Sequence, residues 1–137
     1  MRSQNPVLLV EDDRVDAMTV KRALKEIRVA NPIVVVGNGE EALAYLRNPD
    51  NETPSIILLD LNMPRMGGIE FLEVTKQDAQ LRRIPVIVLT TSKEQQDKLG
   101  SFDLGVAGYM VKPVDYQQFV GVIKAIDSYW SLSELPE

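Results

Sequence analysis

The chain has 137 residues and carries 15 Lys and Arg against 20 Asp and Glu, which gives a net charge of −5. Hydrophobic residues make up 45% and charged residues 26% of the sequence, a balance that excludes disordered and fibrous proteins and allows a buried core. This length predicts a single domain over residues 1–137, with a core over about 6–130 and a C-terminal tail over 131–137.

Absent residue types narrow the chemistry further. The sequence has neither Cys nor His, which excludes disulfides, thiolate nucleophiles, imidazole bases and His ligands to a metal. The negative net charge disfavours nucleic acid as a partner. The N-terminal residues do not form a signal peptide, and no apolar run reaches the roughly 18 residues of a membrane span, so we expect a cytoplasmic protein without a membrane partner. Any chemistry must therefore come from carboxylates, Lys or hydroxyl groups.

Short apolar runs alternate with segments of helical periodicity along the whole chain. Strands are predicted at residues 7–10, 33–36, 55–59, 86–89 and 107–111. The first helix is capped by Asp13 together with Asp16 and extends to near Ala30, because Pro32 disfavours a helical conformation at the residue before it. Further helices are predicted over residues 40–47, after Gly68, over about 94–104, and from a cap at Asp115 and Gln118 to Trp130.

This alternation determines the predicted fold class. Apolar strands that alternate with amphipathic helices form an open parallel sheet covered on both faces, joined by right-handed crossovers. We therefore predict an α/β fold with a doubly wound, five-stranded parallel sheet and five helices, flavodoxin-like, with strand order 2-1-3-4-5.

Polar residues follow four of the five predicted strands. In doubly wound sheets the functional site lies beyond the carboxyl ends of the strands. The residues found there are Glu11 and Asp12 after the first strand, Asp60 after the third, Thr90 after the fourth and Lys112 after the fifth; the second strand offers only Gly37 and Asn38. Three carboxylates in one place repel each other unless a cation neutralises them, and oxygen ligands suit Mg²⁺, to which Asn62 could add a backbone carbonyl.

The same residue types suit phosphoryl transfer. A carboxylate, Mg²⁺, Lys and a hydroxyl group position a phosphoryl group and neutralise its oxygens. Asp60 is the predicted nucleophile, which would form a hydrolysable aspartyl phosphate. Asn62 and Ser92 lie two residues beyond Asp60 and Thr90, where their side chains could tune the hydrolysis rate, and Gly68 is interpreted as permitting a tight turn.

Four motifs in order resemble the receiver domain of two-component response regulators, over almost the whole chain. They are Val10-Glu11-Asp12-Asp13, Leu59-Asp60-Leu61-Asn62-Met63-Pro64 with Gly67-Gly68, Leu89-Thr90-Thr91-Ser92, and Gly108-Tyr109-Met110-Val111-Lys112-Pro113. The resemblance implies that a partner histidine kinase phosphorylates Asp60, and that the protein signals by a conformational switch and protein interactions. It is not expected to be an enzyme beyond its own phosphorylation and dephosphorylation.

The resemblance also implies individual roles. Asp12 and Asp60 would bind Mg²⁺ directly, Glu11 through water, and Asn62 through its backbone carbonyl. Lys112 and Thr90 would each hold a phosphoryl oxygen, and Tyr109 would turn inward as an aromatic switch when Thr90 moves. The peptide bond between Lys112 and Pro113 would be cis.

A narrower resemblance is to stand-alone receivers that pair with phytochrome-type histidine kinases. The residues that carry it are Arg14-Val15-Asp16, the polar turn at 48–54, Leu81-Arg82-Arg83-Ile84-Pro85, Thr90-Thr91-Ser92 and Tyr129-Trp130. Trp130, Leu132 and Leu135 would leave apolar surface at the end of the last helix, so we expect a homodimer through this helix and the tail. No output domain is expected after Glu137.

Three alternatives remain open. A phosphatase of the aspartyl-phosphate type also uses Mg²⁺, Asp and Lys, although its nucleophile follows the first strand in an Asp-x-Asp pattern. A flavodoxin-like binding module is disfavoured, because carboxylates follow the first strand where a phosphate-bearing cofactor needs amides and hydroxyls. A receiver-like scaffold that acts without phosphate is the third, although such proteins usually lose an acid or the Lys.

Overall fold

The computed structural model describes residues 5–61, 66–90 and 105–132. Five strands lie within them: β1 (Val7–Val10), β2 (Ile33–Val36), β3 (Ile56–Asp60), β4 (Val86–Thr90) and β5 (Gly108–Val111). The described residues also form four α-helices, α1 (Arg14–Glu26), α2 (Gly39–Arg47), α3 (Gly68–Gln77) and α4 (Tyr116–Leu132), and a 3-10 turn at Leu81–Arg83. The helix predicted over 94–104 and the tail from residue 133 lie outside the described residues.

The strands form one parallel sheet in the order β2-β1-β3-β4-β5, which confirms the predicted topology. Every residue of the neighbouring strands β1 and β3 is buried, because helices cover both faces of the sheet at its centre. The edge strands β2 and β5 are only partly buried. In the described part of the chain, no helix combines the length and the apolar character needed to cross a membrane.

Two hydrophobic cores lie on opposite faces of the sheet, because successive side chains of a strand point to opposite sides. The first core, which we call the α1/α4 core, contains Val7, Leu9, Ala17, Val20, Ala23, Leu24, Ile56, Leu58, Ile87, Leu89, Phe119, Ile123 and Ile126. The second, the α2/α3 core, contains Leu8, Val10, Ala42, Leu43, Ile57, Leu59, Phe71, Leu72, Leu81, Ile84, Val86 and Val88. The alternation predicted from the sequence thus divides each central strand between two cores.

Side-chain caps fix where the helices begin. The Asp13 carboxylate accepts from the Asp16 N–H at 3.0 Å, and the Asp115 carboxylate accepts from the Gln118 N–H at 3.0 Å, as predicted. The buried Asn38 caps α2 by accepting from the Glu41 N–H at 2.9 Å. These caps place the first turns of α1, α2 and α4 close to the ends of the strands that precede them.

Helix α1 ends at Glu26, earlier than the predicted end near Ala30. Arg28 adopts the left-handed conformation with φ of 64°. The Arg28 N–H donates to the Lys25 carbonyl, and the Val29 N–H donates to the Leu24 carbonyl, both at 3.0 Å. This pair of bonds is a Schellman motif, which usually has Gly at the left-handed position. The prediction was wrong because Arg gives no sequence signal for such a stop.

Candidate functional site

Three chemically important side chains lie at the carboxyl edge of the sheet. Glu11 is the first residue after β1, Asp60 is the last residue of β3, and Lys112 is the first residue after β5. Each lies two positions beyond a residue that packs in or against the α1/α4 core, namely Leu9, Leu58 and Met110. Since strand side chains alternate, all three continue toward the same face of the sheet. The fold thus brings together residues about a hundred positions apart.

The carboxylates of Glu11, Asp12 and Asp60 form a compact acidic cluster. Each offers an oxygen atom, and these oxygens lie within 4.8 Å of one another. Glu11 is 3% exposed and Asp60 is 6% exposed, whereas Asp12 faces solvent. A cluster made only of oxygen ligands with one open side suits a small divalent cation that keeps several of its waters. The donor set therefore fits the predicted Mg²⁺.

Lys112, which follows β5, reaches into this cluster. Its Nζ donates to Glu11 Oε1 at 2.9 Å and lies 3.9 Å from Asp60 Oδ1. It also lies 3.8 Å from Asp16 Oδ2 on the first turn of α1. The ammonium is therefore bound directly to Glu11 and is within a short side-chain movement of Asp60.

Burial dominates the electrostatics of Glu11. It raises the pKa of Glu11 from 4.5 to about 7, although the hydrogen bond and the positive charge of Lys112 act in the opposite direction. The negative charge of Asp60 adds to the increase. Near neutral pH this carboxyl group can therefore exchange a proton unless a cation binds beside it.

At Lys112, the neighbouring charges outweigh the effect of burial on the pKa. Burial acts to lower the pKa of this amine, but the hydrogen bond to Glu11 and the charges of Glu11, Asp60 and Asp16 together raise the pKa above 10.5. Lys112 is therefore a permanent positive charge beside Asp60.

Gly68, the first residue of α3, packs closely against the end of β3. The Gly68 N–H donates to the Leu61 carbonyl at 3.2 Å. A Cβ added at Gly68 would lie 2.9 Å from the Leu61 Cα and 3.1 Å from the Asp60 carbonyl oxygen. Gly68 therefore lets α3 begin directly against the backbone of Asp60.

Two further predicted residues lie on neighbouring strands. Thr90 ends β4, where its backbone is paired with Val111, beside Lys112. Tyr109 is half-buried on β5, where it is paired with Val88, and its side chain packs against the α2/α3 core. The two predicted switch residues therefore belong to adjacent strands next to the acidic cluster.

The remaining predicted residues have different outcomes. Asn62, Ser92 and Leu135 lie outside the described residues, as do the side chains of Trp130 and Leu132. The described residues contain no cis peptide bond, so the predicted cis bond before Pro113 is wrong here. The trans form is favoured intrinsically by about 0.5–1 kcal/mol, and the turn into α4 is made without leaving it.

Sequence reasoning missed two features around the site. Asp16 was interpreted only as part of the helix cap, although its carboxylate lies 3.8 Å from the Lys112 ammonium at the edge of the site. Three apolar side chains, Val15 and Met18 on α1 and Val114 in the loop after β5, are also exposed.

Comparisons with known proteins agree with this geometry. Residues 7–124 match the response regulator receiver domain. The response regulator Rcp1 of Synechocystis sp. (strain ATCC 27184 / PCC 6803 / Kazusa) is 35% identical over 128 residues, which cover 90% of this chain and 87% of Rcp1.

Solved structures are similar over nearly the whole chain. The phosphorylated cyanobacterial phytochrome response regulator RcpA has a TM-score of 0.86 and 38% identity, covering 96% of this chain and 98% of that one. The Mn²⁺-bound form of Rcp1 has a TM-score of 0.85 and 34% identity, covering 96% and 99%. Together with the acidic cluster and Lys112 at the edge of a 2-1-3-4-5 sheet, these matches establish that the chain belongs to the response regulator receiver domain family.

Proposed function

We propose that this protein is a stand-alone response regulator that accepts a phosphoryl group on Asp60 from a partner histidine kinase. The observation that carries the proposal is the position of Asp60: its buried carboxylate lies within 4.8 Å of two other carboxylates and 3.9 Å from the Lys112 ammonium. A buried acid with these neighbours has the charge arrangement that phosphoryl transfer to a carboxylate requires.

The chemistry at Asp60 is a displacement at phosphorus. A carboxylate oxygen attacks the phosphorus of the kinase phosphohistidine, the new O–P bond forms as the N–P bond breaks, and the imidazole leaves and takes up a proton. The product is a mixed anhydride, which water returns to the free carboxylate and inorganic phosphate. The protein acts mainly by holding Asp60 in line and by neutralising the phosphoryl oxygens.

Asp12 and Asp60 would hold Mg²⁺ directly, with Glu11 acting through water and Asn62 through its backbone carbonyl. When bound, the cation supplies positive charge that offsets the carboxylates and the phosphoryl oxygens. Support for a divalent cation comes from the oxygen-only donor set and from Rcp1, which was solved in an Mn²⁺-bound form.

Lys112 supplies the other positive charge. In this structure its Nζ donates to Glu11 and lies about one ångström farther from Asp60, at 3.9 Å against 2.9 Å. A phosphoryl oxygen on Asp60 would attract the ammonium more strongly than the carboxylate alone, so Lys112 would turn from Glu11 toward it. This exchange couples phosphorylation to a movement at the end of β5.

We extend the proposal to the switch residues Thr90 and Tyr109. Thr90 would bond a phosphoryl oxygen, and Tyr109 would turn inward as Thr90 moves. The direct pairing of Val88 with Tyr109 and of Thr90 with Val111 supports a coupled movement of the two strands. The phosphorylated state would then be read as a change in a protein-binding surface.

A protein partner has room to dock beside Asp60. Val15, Met18 and Val114 are 70%, 64% and 105% exposed. A groove of about 460 Å³ between Lys112, Val114 and α1 opens beside the site. Exposed apolar side chains on α1 and after β5, together with a groove lined by Lys112, suit a docking surface for the phosphodonor domain of the kinase.

The similarity to RcpA and Rcp1 supports a phytochrome-type kinase as the partner, and the coverage of both of those chains supports a stand-alone receiver. The cytoplasmic location predicted from the sequence stays part of the proposal. The exposed Tyr129 side chain on α4 supports the predicted homodimer through the last helix and tail. Sedimentation before and after phosphorylation tests the dimer, and phosphotransfer from phytochrome-type and other kinases tests the pairing.

The central experiment is phosphorylation by a small donor. Incubation with acetyl phosphate and Mg²⁺ should add the mass of one phosphoryl group, and Asp60→Asn should abolish the addition. Asp50→Asn, on an exposed turn, is the matched control and should be phosphorylated normally. Labelling that persists in Asp60→Asn would refute the assignment, and unchanged labelling in EDTA would refute the metal site.

The same samples separate the alternatives. A phosphatase would turn over an added phosphate ester continuously, whereas the proposed receiver would release phosphate only from its own Asp60. A phosphate-independent scaffold would bind its partner equally well as wild type and as Asp60→Asn.

A further inference from the structure

No side chain of strand β2 belongs to the acidic cluster. The segment after β2 nevertheless contacts the connection that follows Asp60. The Gly39 N–H, at the first turn of α2, donates to the Met66 carbonyl at 2.9 Å. Met66 lies six residues after Asp60, at the far end of the connection from β3 to α3. The proposed function gives the Gly37-Asn38-Gly39 segment no role, yet this segment contacts the connection that follows the proposed phosphorylation site.

The contact at Gly39 is too close for any other residue. A Cβ added at Gly39 would lie 2.6 Å from the Met66 Cγ, 3.0 Å from its Cβ and 2.9 Å from its carbonyl oxygen. Since one of these atoms belongs to the backbone, a side chain at this position would have to displace the main chain at Met66.

A displacement of Met66 would be passed on to Asp60. Gly68, two residues after Met66, donates to the Leu61 carbonyl, and its Cα approaches the Asp60 backbone so closely that an added Cβ would lie 3.1 Å from the Asp60 oxygen. The two close approaches therefore form a series. Gly39 contacts Met66, and Gly68, two residues further along the chain, contacts Leu61 and Asp60. The nearest atom in each approach belongs to a side chain, Met66 Cγ at 2.6 Å and Leu61 Cδ2 at 2.8 Å, but backbone atoms of Met66 and Leu61 lie at 2.9 Å and adjust less than side-chain ends do.

The N-terminus of α2 is itself held firmly. The Glu41 carboxylate accepts from the Gly37 N–H at 3.1 Å and from the Asn38 side-chain amide at 3.2 Å, while Asn38 accepts from the Glu41 N–H. Asn38 and Gly39 are both buried. Because this turn is fixed by its own hydrogen bonds, Gly39 can serve as a rigid support for Met66.

We infer that Gly39 is a positioning residue for phosphorylation: its N–H and its missing side chain hold Met66, and through Gly68 they fix the backbone of Asp60. This inference rests on the proposed phosphorylation of Asp60. It gives the second strand a role in the site that requires no functional side chain.

Gly39→Ala tests the inference, and Gly37→Ala is the matched control. A Cβ added at Gly37 has the flexible Glu41 carboxylate as its nearest neighbour, at an ordinary 3.4 Å. We expect Gly39→Ala to lower the maximal phosphorylation rate with acetyl phosphate and Mg²⁺ by about tenfold or more, as misplacement of a reacting group does, while the Mg²⁺ affinity falls in parallel. Gly37→Ala should stay within about twofold of wild type by the same reasoning. A wild-type maximal rate in a folded Gly39→Ala would overturn the inference.

Removing the Met66 side chain gives a second test of the contact with Gly39. Gly39→Ala combined with Met66→Ala removes the contact at 2.6 Å, so it should recover part of the lost rate. If Gly39→Ala alone does not fold, the double variant can be used to test the inference instead. A double variant slower than Met66→Ala alone supports the inference, because the Met66 carbonyl contact remains, whereas equal rates contradict it.

Backbone NMR keeps the inference separate from the proposed function. If wild type is not phosphorylated, the proposed function fails, but the amide signals of Asp60 and Leu61 still report on positioning. They should shift in Gly39→Ala and not in Gly37→Ala. Unshifted Asp60 and Leu61 signals in Gly39→Ala would contradict the inference whatever the result of phosphorylation.

Discussion

Removing the ammonium of Lys112 should make the stability of the protein more strongly dependent on pH. Lys112→Met keeps the apolar stem of the side chain and removes the charge that lies 2.9 Å from Glu11 Oε1. The Glu11 side chain is 2% exposed, so water cannot replace the lost partner. Breaking a buried ion pair by removing one partner typically costs roughly 3–5 kcal/mol when the other charge stays buried.

Glu11 can reduce that cost by binding a proton, which is why the effect depends on pH. Its pKa in the folded protein is about 7, above the ordinary value of 4.5. Between these values the folded state binds more protons than the unfolded state, so the free energy of unfolding falls as the pH rises through this window. At about 1.4 kcal/mol per pH unit, the fall in wild type is about 3 kcal/mol.

In Lys112→Met the two influences that lower the pKa of Glu11 are gone, so its pKa rises above 7 and the fall continues to higher pH. At pH about 5.5 Glu11 is protonated in both folded proteins, and their unfolding free energies should agree within about 1 kcal/mol. At pH about 8.5 the variant should be less stable by roughly 2–3 kcal/mol, which is below the full cost because the proton is retained.

Urea denaturation in EDTA, followed by far-UV circular dichroism across this pH range, measures the difference. Lys21→Met, on the exposed part of α1, is the control and should show no such divergence from wild type. Adding Glu11→Gln to Lys112→Met should remove the divergence, because the carboxyl group whose protonation causes it is then absent. A loss of stability in Lys112→Met that is the same at both pH values would refute this reasoning.

Three further substitutions test the local structure. Arg28→Gly should stabilise the protein by about 0.5–1 kcal/mol in urea denaturation, because glycine relieves the left-handed backbone at φ of 64°; a destabilised variant would contradict the Schellman assignment. Asn38→Ala should lower the unfolding free energy by about 1 kcal/mol through loss of the α2 cap, and an unchanged value would show that the cap is dispensable. Gly68→Ala should cost about 1–3 kcal/mol and slow the phosphorylation of Asp60, since its Cβ would press on the strand end; normal stability and rate together would refute this packing.

Much of the fold and of the site could be predicted from the sequence because both depend on simple periodicities. Apolar runs that alternate with segments of helical periodicity predict a parallel sheet. The residue after each strand then indicates which side chains meet at the carboxyl edge of that sheet. This reasoning predicts that Glu11, Asp60 and Lys112 lie close together. The bounds of β1 and β2 also agree with the prediction.

The rest depends on contacts that periodicity does not determine. The choice of Glu11 over Asp60 as the hydrogen-bond partner of Lys112 is decided within about one ångström by side-chain conformation. The end of α1 depends on the backbone of Arg28, a residue type that rarely adopts a left-handed conformation. The contact between Gly39 and Met66 depends on how a loop lies against a neighbouring helix, which sequence spacing does not reveal.

The division of the interior into two cores has a genetic consequence. Asp60, Glu11 and Lys112 point toward the α1/α4 core, whereas Tyr109 packs against the α2/α3 core on the other side of the sheet. If the proposed switch links Asp60 to Tyr109, the change would have to cross the sheet through the backbone of its strands. A screen for signalling mutants should accordingly yield two separable classes. Mutants of one class would not be phosphorylated, whereas mutants of the other would be phosphorylated normally but would not undergo the conformational switch.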